Sequence, residues 1–144
     1  DKLSGSLVRI FSLKYVLFKT FDTSALGLGL NKTEEQVLMI AWDHGGASMH
    51  FMSRKAGLEK GSLTTIVDKL EASGLVSRTR DEADRRSFIV KPTDAGSNLA
   101  KQIDALFDIH LESILGRLSA EQRAEFERAA ETFARLIPVL AGKE

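Results

Sequence analysis

The sequence of 144 residues contains no cysteine, and it has only two prolines, one tryptophan and one tyrosine. The lack of cysteine excludes disulfides and oxidant sensing through a thiol, although it does not by itself identify the compartment. There is no run of about 18 uncharged apolar residues, so we expect no transmembrane helix and no membrane partner. No signal peptide is recognisable, although the first residue is not methionine.

Net charge is also lacking, because 20 Lys and Arg balance 20 Asp and Glu. The distribution is nevertheless uneven. Residues 51–92 hold nine basic and six acidic side chains, so this segment carries +3 and the rest of the chain carries −3. A modest excess of basic charge in one segment predicts salt-sensitive binding to nucleic acid without strong non-specific affinity.

Motifs of the common enzyme classes are missing as well. The sequence has no Gly-x-Ser-x-Gly, no Walker loop, no His-Glu-x-x-His and no cysteine nucleophile. The Gly-x-Gly at residues 27–29 lacks the rest of a dinucleotide-binding motif. These absences predict that the chain is not an enzyme and needs no cofactor.

The central feature of the sequence is a predicted helix with one apolar stripe and one polar face. Leu63, Ile66, Val67 and Leu70 recur at i, i+3, i+4 and i+7, which is the spacing of one side of an α-helix. The opposite face is short, polar and partly basic, which suits a helix lying in the major groove of double-stranded DNA. The DNA-binding residues expected on this face are Lys60, Ser62, Thr64, Thr65 and Lys69.

A shorter helix precedes this one. Ser48 is a suitable N-cap, and the helix is expected to end near residue 56, where Gly57 can adopt a left-handed conformation. A tight turn at residues 57–59 then leads to the polar-faced helix. Helix, short turn and second helix together predict a helix-turn-helix.

A basic hairpin is expected after the second helix. Residues 77–80 and 88–91 alternate as two short strands, and the charged segment between them is too polar to be buried. Guanidinium groups on a protruding hairpin can enter a minor groove or bind phosphates. The further DNA-binding residues expected here are Arg78, Arg80, Arg85 and Arg86.

These residues resemble the winged helix-turn-helix of the MarR family of bacterial transcription regulators. The matching residues are Asp68-Lys69-Leu70-Glu71, Gly74-Leu75-Val76, Arg80-Asp81, Asp84-Arg85-Arg86 and Thr93-Asp94-Ala95-Gly96, with Thr33-Glu34-Glu35-Gln36 upstream. The resemblance implies that Arg86 is the arginine at the tip of the wing and that Asp84 orients it. Pro92, Gly61, Leu63 and Ala56 depart from the family's usual residues, and these departures leave the base preference open.

The segments on either side are expected to be helical. Residues 3–21 are apolar on most faces, so a helix there needs cover from another surface, which we expect to be a second protomer. Residues 33–36 look like a capping box that opens a helix to about residue 42. Thr93 is expected to cap a helix over 94–115, and residues 119–122 form another capping box for the last helix, which Pro138 should kink or end.

The predicted architecture is mainly α with a small β-hairpin wing. We expect a single domain over 1–144, with a winged helix-turn-helix lobe at about 33–92 and dimerisation helices at about 3–21 and 94–141. A dimer can read two half-sites that lie about one helical turn of DNA apart, roughly 34–36 Å. The predicted function is that of a cytoplasmic homodimeric regulator, a repressor on an inverted-repeat operator that a small ligand releases.

Three further points stay open at the level of sequence. The resemblance implies a pocket for an aromatic or phenolic effector, for which Phe11, Tyr15, Trp42 and His44 are the candidates. Some members of the family bind zinc through histidines, and His44 and His110 could meet, but zinc needs at least three good ligands, so no metal site is predicted. The alternatives are a metal-responsive regulator and a winged helix that binds only protein.

Overall fold

The computed structural model describes residues 2–142 and is mainly helical, as the sequence predicts. One short 3-10 turn covers Ser24–Leu26. The helices are α1 (Leu3–Phe18), α2 (Lys32–Asp43), α3 (Met49–Ala56), α4 (Lys60–Ala72), α5 (Asp94–Leu115) and α6 (Ala120–Leu140). The strands are β1 (Ala47–Ser48), β2 (Val76–Arg80) and β3 (Phe88–Pro92).

The three strands form one small antiparallel sheet in the order β1-β3-β2. The hairpin of β2 and β3 is confirmed, and its register runs from Val76 opposite Pro92 to Arg80 opposite Phe88. The two-residue strand β1 was not predicted. It pairs with β3 by placing Ala47 opposite Val90.

The chain divides into two compact units. The first, Asp22–Leu106, contains α2, α3, α4, the sheet and the beginning of α5; it is called the reading unit below. The second contains α1, α6 and the C-terminal part of α5, and it is called the terminal unit.

The core of the reading unit confirms the apolar stripe of α4. Leu63, Val67 and Leu70 are fully buried, and Ile66 packs beside them with partial exposure. The other large side chains that are fully buried in this core are Val37, Leu38, Met52 and Val90. Burial of one face of α4 leaves its polar face on the surface.

Helix α2 begins two residues earlier than the sequence pattern predicted. Its N-cap is Asn31, whose side chain accepts a hydrogen bond from the Glu34 amide at 2.8 Å, while the Asn31 amide donates to the Glu34 carboxylate at 3.0 Å. The capping box expected at Thr33 and Gln36 is therefore wrong. The capping box predicted for α6 is confirmed at Ser119. Pro138 lies inside that helix and does not end it.

The start of α5 is fastened to the loop that follows α4. The Thr93 hydroxyl donates to the Gly74 carbonyl at 2.6 Å and accepts from the Gly96 amide at 3.0 Å, and the Thr93 amide donates to the Leu75 carbonyl at 3.0 Å. A Cβ at Gly96 would lie 1.9 Å from the Leu75 carbonyl oxygen. Only glycine therefore fits at position 96.

The terminal unit buries little of its apolar surface. Helix α1 has no buried residue, and Phe11 and Leu3 are 81% and 74% exposed. Contacts within the unit include stacked rings of Phe18 and Phe107, with centroids 4.8 Å apart. No helix within residues 2–142 is long and apolar enough to cross a membrane.

Candidate nucleic-acid interface

The helix-turn-helix of the reading unit is formed by α3 and α4. Ser48 caps α3 by accepting from the Phe51 amide, and Gly57 ends it with a φ of 65°. The Ser53 hydroxyl and carbonyl both hydrogen-bond the Leu58 backbone across the turn. These bonds hold α4, the recognition helix, at a defined angle to α3.

The outward face of the recognition helix carries two threonine hydroxyl groups that already donate hydrogen bonds to backbone carbonyls. Thr64 donates to the Lys60 carbonyl at 2.9 Å, and Thr65 donates to the Gly61 carbonyl at 3.2 Å. Each threonine therefore presents an acceptor oxygen and a methyl group to solvent. Such groups can accept from an exocyclic amine of a base or contact the methyl group of thymine.

Lys69 has a partner that the sequence pattern did not reveal. Its Nζ lies 2.8 and 2.9 Å from the two carboxylate oxygens of Glu34, which is 5% exposed. The hydrogen bond from Lys69 lowers the pKa of the Glu34 carboxyl below its ordinary value, against the opposing effect of burial. Lys69 was predicted to contact DNA; its ammonium is paired with Glu34 in this structure, and the DNA contact stays a prediction.

Arg78 is also engaged within the protein. Its Nη2 lies 2.6 Å from Asp68 and 3.0 Å from Glu71, both on the recognition helix, and its backbone amide donates to Glu71 at 3.1 Å. These carboxylates, Glu71 foremost, raise the pKa of the Arg78 guanidinium. The DNA contact expected of Arg78 stays a prediction, and its position is considered again below.

The wing folds around backbone and side-chain hydrogen bonds at its tip. Arg80 donates to the Arg85 carbonyl at 2.9 Å, and its guanidinium lies 5.5 Å from the centre of the Phe88 ring. Asp84 accepts from the Arg86 amide at 3.1 Å, and its own carbonyl accepts from the Ser87 amide at 2.9 Å. Asp84 thus orients the backbone that carries Arg86.

The guanidinium groups of Arg85 and Arg86 extend from this ordered tip. Among residues 2–142, no ion pair or side-chain hydrogen bond engages either of them. Both residues are exposed. They are therefore available to a negatively charged partner.

A cleft of about 620 Å³ lies between α3, the first half of the recognition helix and the wing. It brings together Lys60 and Thr64 from the helix with Arg78, Asp84 and Arg86 from the wing. These five predicted residues come from segments separated in sequence and line one concave surface. Ser62, Thr65, Lys69, Arg80 and Arg85 are not among its lining residues.

The same cleft contains residues that sequence reasoning missed. Its wall is lined by Ser48, the N-cap of α3, by His50 and Ser53 of α3, and by Ser87 of the wing. The spacing of His50 and Ser53, at i and i+3, places them on one helical face and could have identified them. The surface is therefore wider than α4 and the wing alone.

The candidate effector residues are distributed over the two units. Phe11 and Tyr15 are exposed residues of α1, in the terminal unit. Trp42 is half-buried in α2 of the reading unit, and His44, which follows α2, packs edge-on against the Phe51 ring at 4.8 Å. The effector pocket remains a prediction.

His110 occupies a packed position in the terminal unit. Its Nε2 lies 2.8 Å from the Leu17 carbonyl oxygen, and its ring centre lies 5.5 Å from that of Phe21. Within residues 2–142 no cluster of three or more His, Cys, Asp or Glu is arranged to hold a metal ion.

Comparison with known proteins gives a consistent set of relatives. A model of the MarR family matches residues 30–88. The chain is 32% identical over 103 residues to YcgE of Bacillus subtilis, an uncharacterized HTH-type transcriptional regulator, covering 72% of this chain and 66% of YcgE. It is also 32% identical over 108 residues to the HTH-type transcriptional regulator MhqR of Bacillus subtilis, covering 75% of this chain and 72% of MhqR.

The fold has a close counterpart among solved structures. The structure of NadR in complex with 4-hydroxyphenylacetate superposes with a TM-score of 0.70 and covers 90% of this chain and 92% of NadR. Sequence identity is 20%, so this likeness concerns the fold alone.

Proposed function

The chain belongs to the MarR family of transcriptional regulators, and we propose that it binds an inverted-repeat operator as a homodimer and acts as a repressor that a small ligand releases. The observation that supports this most directly is the cleft of the reading unit. Lys60 and Thr64 of the recognition helix face the same concave surface as Arg86 of the wing. Cationic and hydroxyl groups converging from a helix and a hairpin can engage phosphates and base edges together.

The DNA-binding residues follow from which side chains are available. We propose that Lys60, Ser62, Thr64 and Thr65 act from the recognition helix. Arg85 and Arg86 are proposed to act from the tip of the wing. Arg80 contributes by holding the Arg85 carbonyl, and Asp84 by holding the Arg86 amide.

Exposed apolar surface on the terminal unit supports the homodimer. Phe11 and Val8 of α1 are 81% and 65% exposed, and Leu140 and Val139 of α6 are 85% and 67% exposed. Monomeric proteins in water rarely expose this many large apolar side chains on two helices. A second copy of the chain would cover them, and its two-fold symmetry would match an inverted-repeat operator.

Release by a small ligand is the second part of the proposal. The ligand seen in NadR, 4-hydroxyphenylacetate, supports an aromatic acid as the effector here. Its binding residues, for which the sequence offers Phe11, Tyr15, Trp42 and His44, stay a prediction. A ligand that binds better to a dimer with the wrong spacing of its reading units lowers operator affinity by that difference in binding free energy.

Selection from random duplex DNA tests the proposal. The protein is incubated at moderate salt with a random-sequence library, and bound duplexes are recovered and sequenced over several rounds. The expected result is an enriched inverted repeat whose half-sites lie about one turn of DNA apart. Repeating the selection with Arg86→Ala should give the same motif with poorer recovery, because the tip contributes affinity from outside the recognition helix.

Three other outcomes contradict parts of the proposal. A folded, dimeric protein that enriches no sequence would instead support a winged helix that binds protein. An enriched motif with a single half-site would contradict the symmetric dimer. Operator binding that is unchanged by a panel of aromatic acids would contradict ligand release.

A further inference from the structure

The Arg78 side chain joins the wing to the recognition helix. The Arg78 guanidinium, on β2, lies 2.6 Å from Asp68 and 3.0 Å from Glu71 of α4. The Arg78 side chain is 25% exposed, against 54% for Asp68 and 41% for Glu71. Arg78 is therefore the more enclosed partner, covered on its polar side by two carboxylates.

The backbone at Arg78 is held by the same carboxylate. Strand β2 is at the edge of the sheet, since β3 lies between it and β1. The Arg78 amide donates to Glu71 Oε2 at 3.1 Å, and the guanidinium binds Glu71 Oε1. One carboxylate thus holds both the main chain and the side chain of the edge strand, a geometry that restricts both the position and the twist of β2.

The charges of this group argue against a direct contact with DNA. Asp68 and Glu71 bring two negative charges to one guanidinium, so the group of three has a net charge of −1 at neutral pH. A phosphate approaching Arg78 would have to displace a carboxylate that already occupies its fork, and a second carboxylate would repel it. In contrast, the guanidinium of Arg86 has no such competitor among the described residues.

We propose that Arg78, Asp68 and Glu71 form a positioning clamp that sets the angle between the recognition helix and the wing, so that both can engage one operator half-site. Arg78 is a positioning residue, and it makes no phosphate contact. This inference rests on the proposed function, because it concerns how the same surface is held in shape. Loss of the clamp lets the wing move relative to the helix, and the two then bind DNA less well together.

Removing the Glu71 carboxylate distinguishes two interpretations, because they predict opposite changes in operator affinity. If Glu71 is only a negative charge near DNA, Glu71→Ala should strengthen operator binding. If Glu71 is part of the clamp, the same change should weaken it. The matched control is Glu82→Ala, which removes one exposed carboxylate from the wing loop outside the clamp and should leave binding unchanged or stronger.

The experiment measures operator affinity over a range of salt concentrations for wild type, Arg78→Ala, Glu71→Ala and Glu82→Ala. Circular dichroism first establishes that each variant is folded. Arg78→Ala and Glu71→Ala are expected to lose roughly fivefold to a hundredfold in affinity, the range for one poorly placed base contact. The slope of log K against log salt should be unchanged, because no phosphate contact is lost.

Amide hydrogen exchange provides a readout without DNA. In Glu71→Ala, the Arg78 amide loses its acceptor and should exchange faster, while the buried turns of the recognition helix keep their protection. Unchanged exchange at Arg78 would contradict the clamp geometry directly. The exchange experiment also reveals a variant that has simply unfolded, since protection would then be lost throughout.

The binding data can overturn the inference in two ways. A slope reduced by about 0.9 for each copy of Arg78→Ala would show that Arg78 contacts phosphate. Glu71→Ala that binds as well as Glu82→Ala would show that the clamp does not matter for DNA. Failure of the proposed function gives a different result, because wild type itself would then bind no DNA and the inference would fall with it.

Discussion

The ammonium of Lys69 lies 2.8 Å from one carboxylate oxygen of Glu34 and 2.9 Å from the other, so the recognition helix is tied to the first turn of α2. Glu34 is almost completely buried, and it also accepts hydrogen bonds from the Asn31 amide at 3.0 Å and from the Asn31 side chain at 3.2 Å. This pair therefore supports two features together, the N-terminus of α2 and the position of α4.

Replacing Lys69 with alanine is expected to destabilise the fold. The change leaves the buried Glu34 carboxylate without its cationic donor, which should reduce the free energy of unfolding by about 1–3 kcal/mol. Urea denaturation followed by circular dichroism measures it. Lys60→Ala, on the exposed start of the same helix, is the control and should lie within about 0.5 kcal/mol of wild type; equal effects of the two changes would contradict the structural role of Lys69.

The same pair predicts how stability depends on pH. Because the pKa of the Glu34 carboxyl is lowered in the folded protein from its ordinary value of 4.5, the ionised form stabilises the fold above that value. The contribution is lost as the pH falls through the lowered pKa. Asp22 and Glu112 have lowered pKa values as well, so the comparison needs a variant that changes Glu34 alone.

Glu34→Gln provides that comparison. The free energy of unfolding of wild type, minus that of the variant, should be constant from neutral pH to about pH 5 and should shrink below it. Urea titrations at several pH values measure this difference. A difference that stays constant down to pH 3 would show that Glu34 does not titrate as the structure requires.

Leu63→Ala tests the phase of the recognition helix. Leu63 is fully buried in the core, so a large-to-small change there should cost about 2–5 kcal/mol of unfolding free energy. Thr65→Ala, two residues away on the exposed face, should be nearly neutral in the same urea experiment. A near-neutral Leu63→Ala would mean that the buried and exposed faces are assigned the wrong way round.

Arg86→Ala should separate DNA binding from stability. The side chain is exposed, so the melting temperature is expected to change by less than about 3 °C. Operator binding should weaken, because the tip of the wing loses a guanidinium that the protein does not otherwise use. A fall of many degrees in melting temperature, with affinity unchanged, would identify Arg86 as a structural residue.

Phe11→Glu tests the proposed dimer. Phe11 is 81% exposed on α1, so a charge there should not unfold the chain but should oppose its burial against a second copy. Analytical ultracentrifugation should show a shift from dimer towards the monomer mass of 15.8 kDa. Ala83→Glu, which places the same charge in the exposed wing loop, should remain dimeric; a wild-type protein that is itself monomeric would reject the proposal.

Most helices and strands could be predicted from the sequence, because capping residues and apolar spacing act within a few residues of each element. Ser48 and Gly57 bound α3, and Thr93 begins α5, through hydrogen bonds to residues close in sequence. The apolar spacing of α4 likewise determines which side chains are buried. The two-residue strand β1 lacks such a signal, since it is too short to show alternation and exists by pairing with β3.

The features that the sequence did not reveal have a common physical origin in pairs distant along the chain. Thr33 and Asn31 are both good N-caps with a suitable partner three residues later, and burial of Glu34 against Lys69, 35 residues away, accompanies the choice of Asn31. Lys69 and Arg78 have the residue type and position of DNA contacts. Their carboxylate partners on other elements could be identified only once the elements were packed together.

The recognition helix and the first turn of α5 are closely connected through the loop that follows α4. Thr93 is bonded to both Gly74 and Leu75, and the absent side chain of Gly96 lets the first turn of α5 rest directly on the Leu75 carbonyl. A rotation of that first turn cannot be absorbed there by a side chain changing rotamer. We therefore expect a movement of that turn to carry the loop after α4 with it, because at position 96 no side chain separates the two backbones.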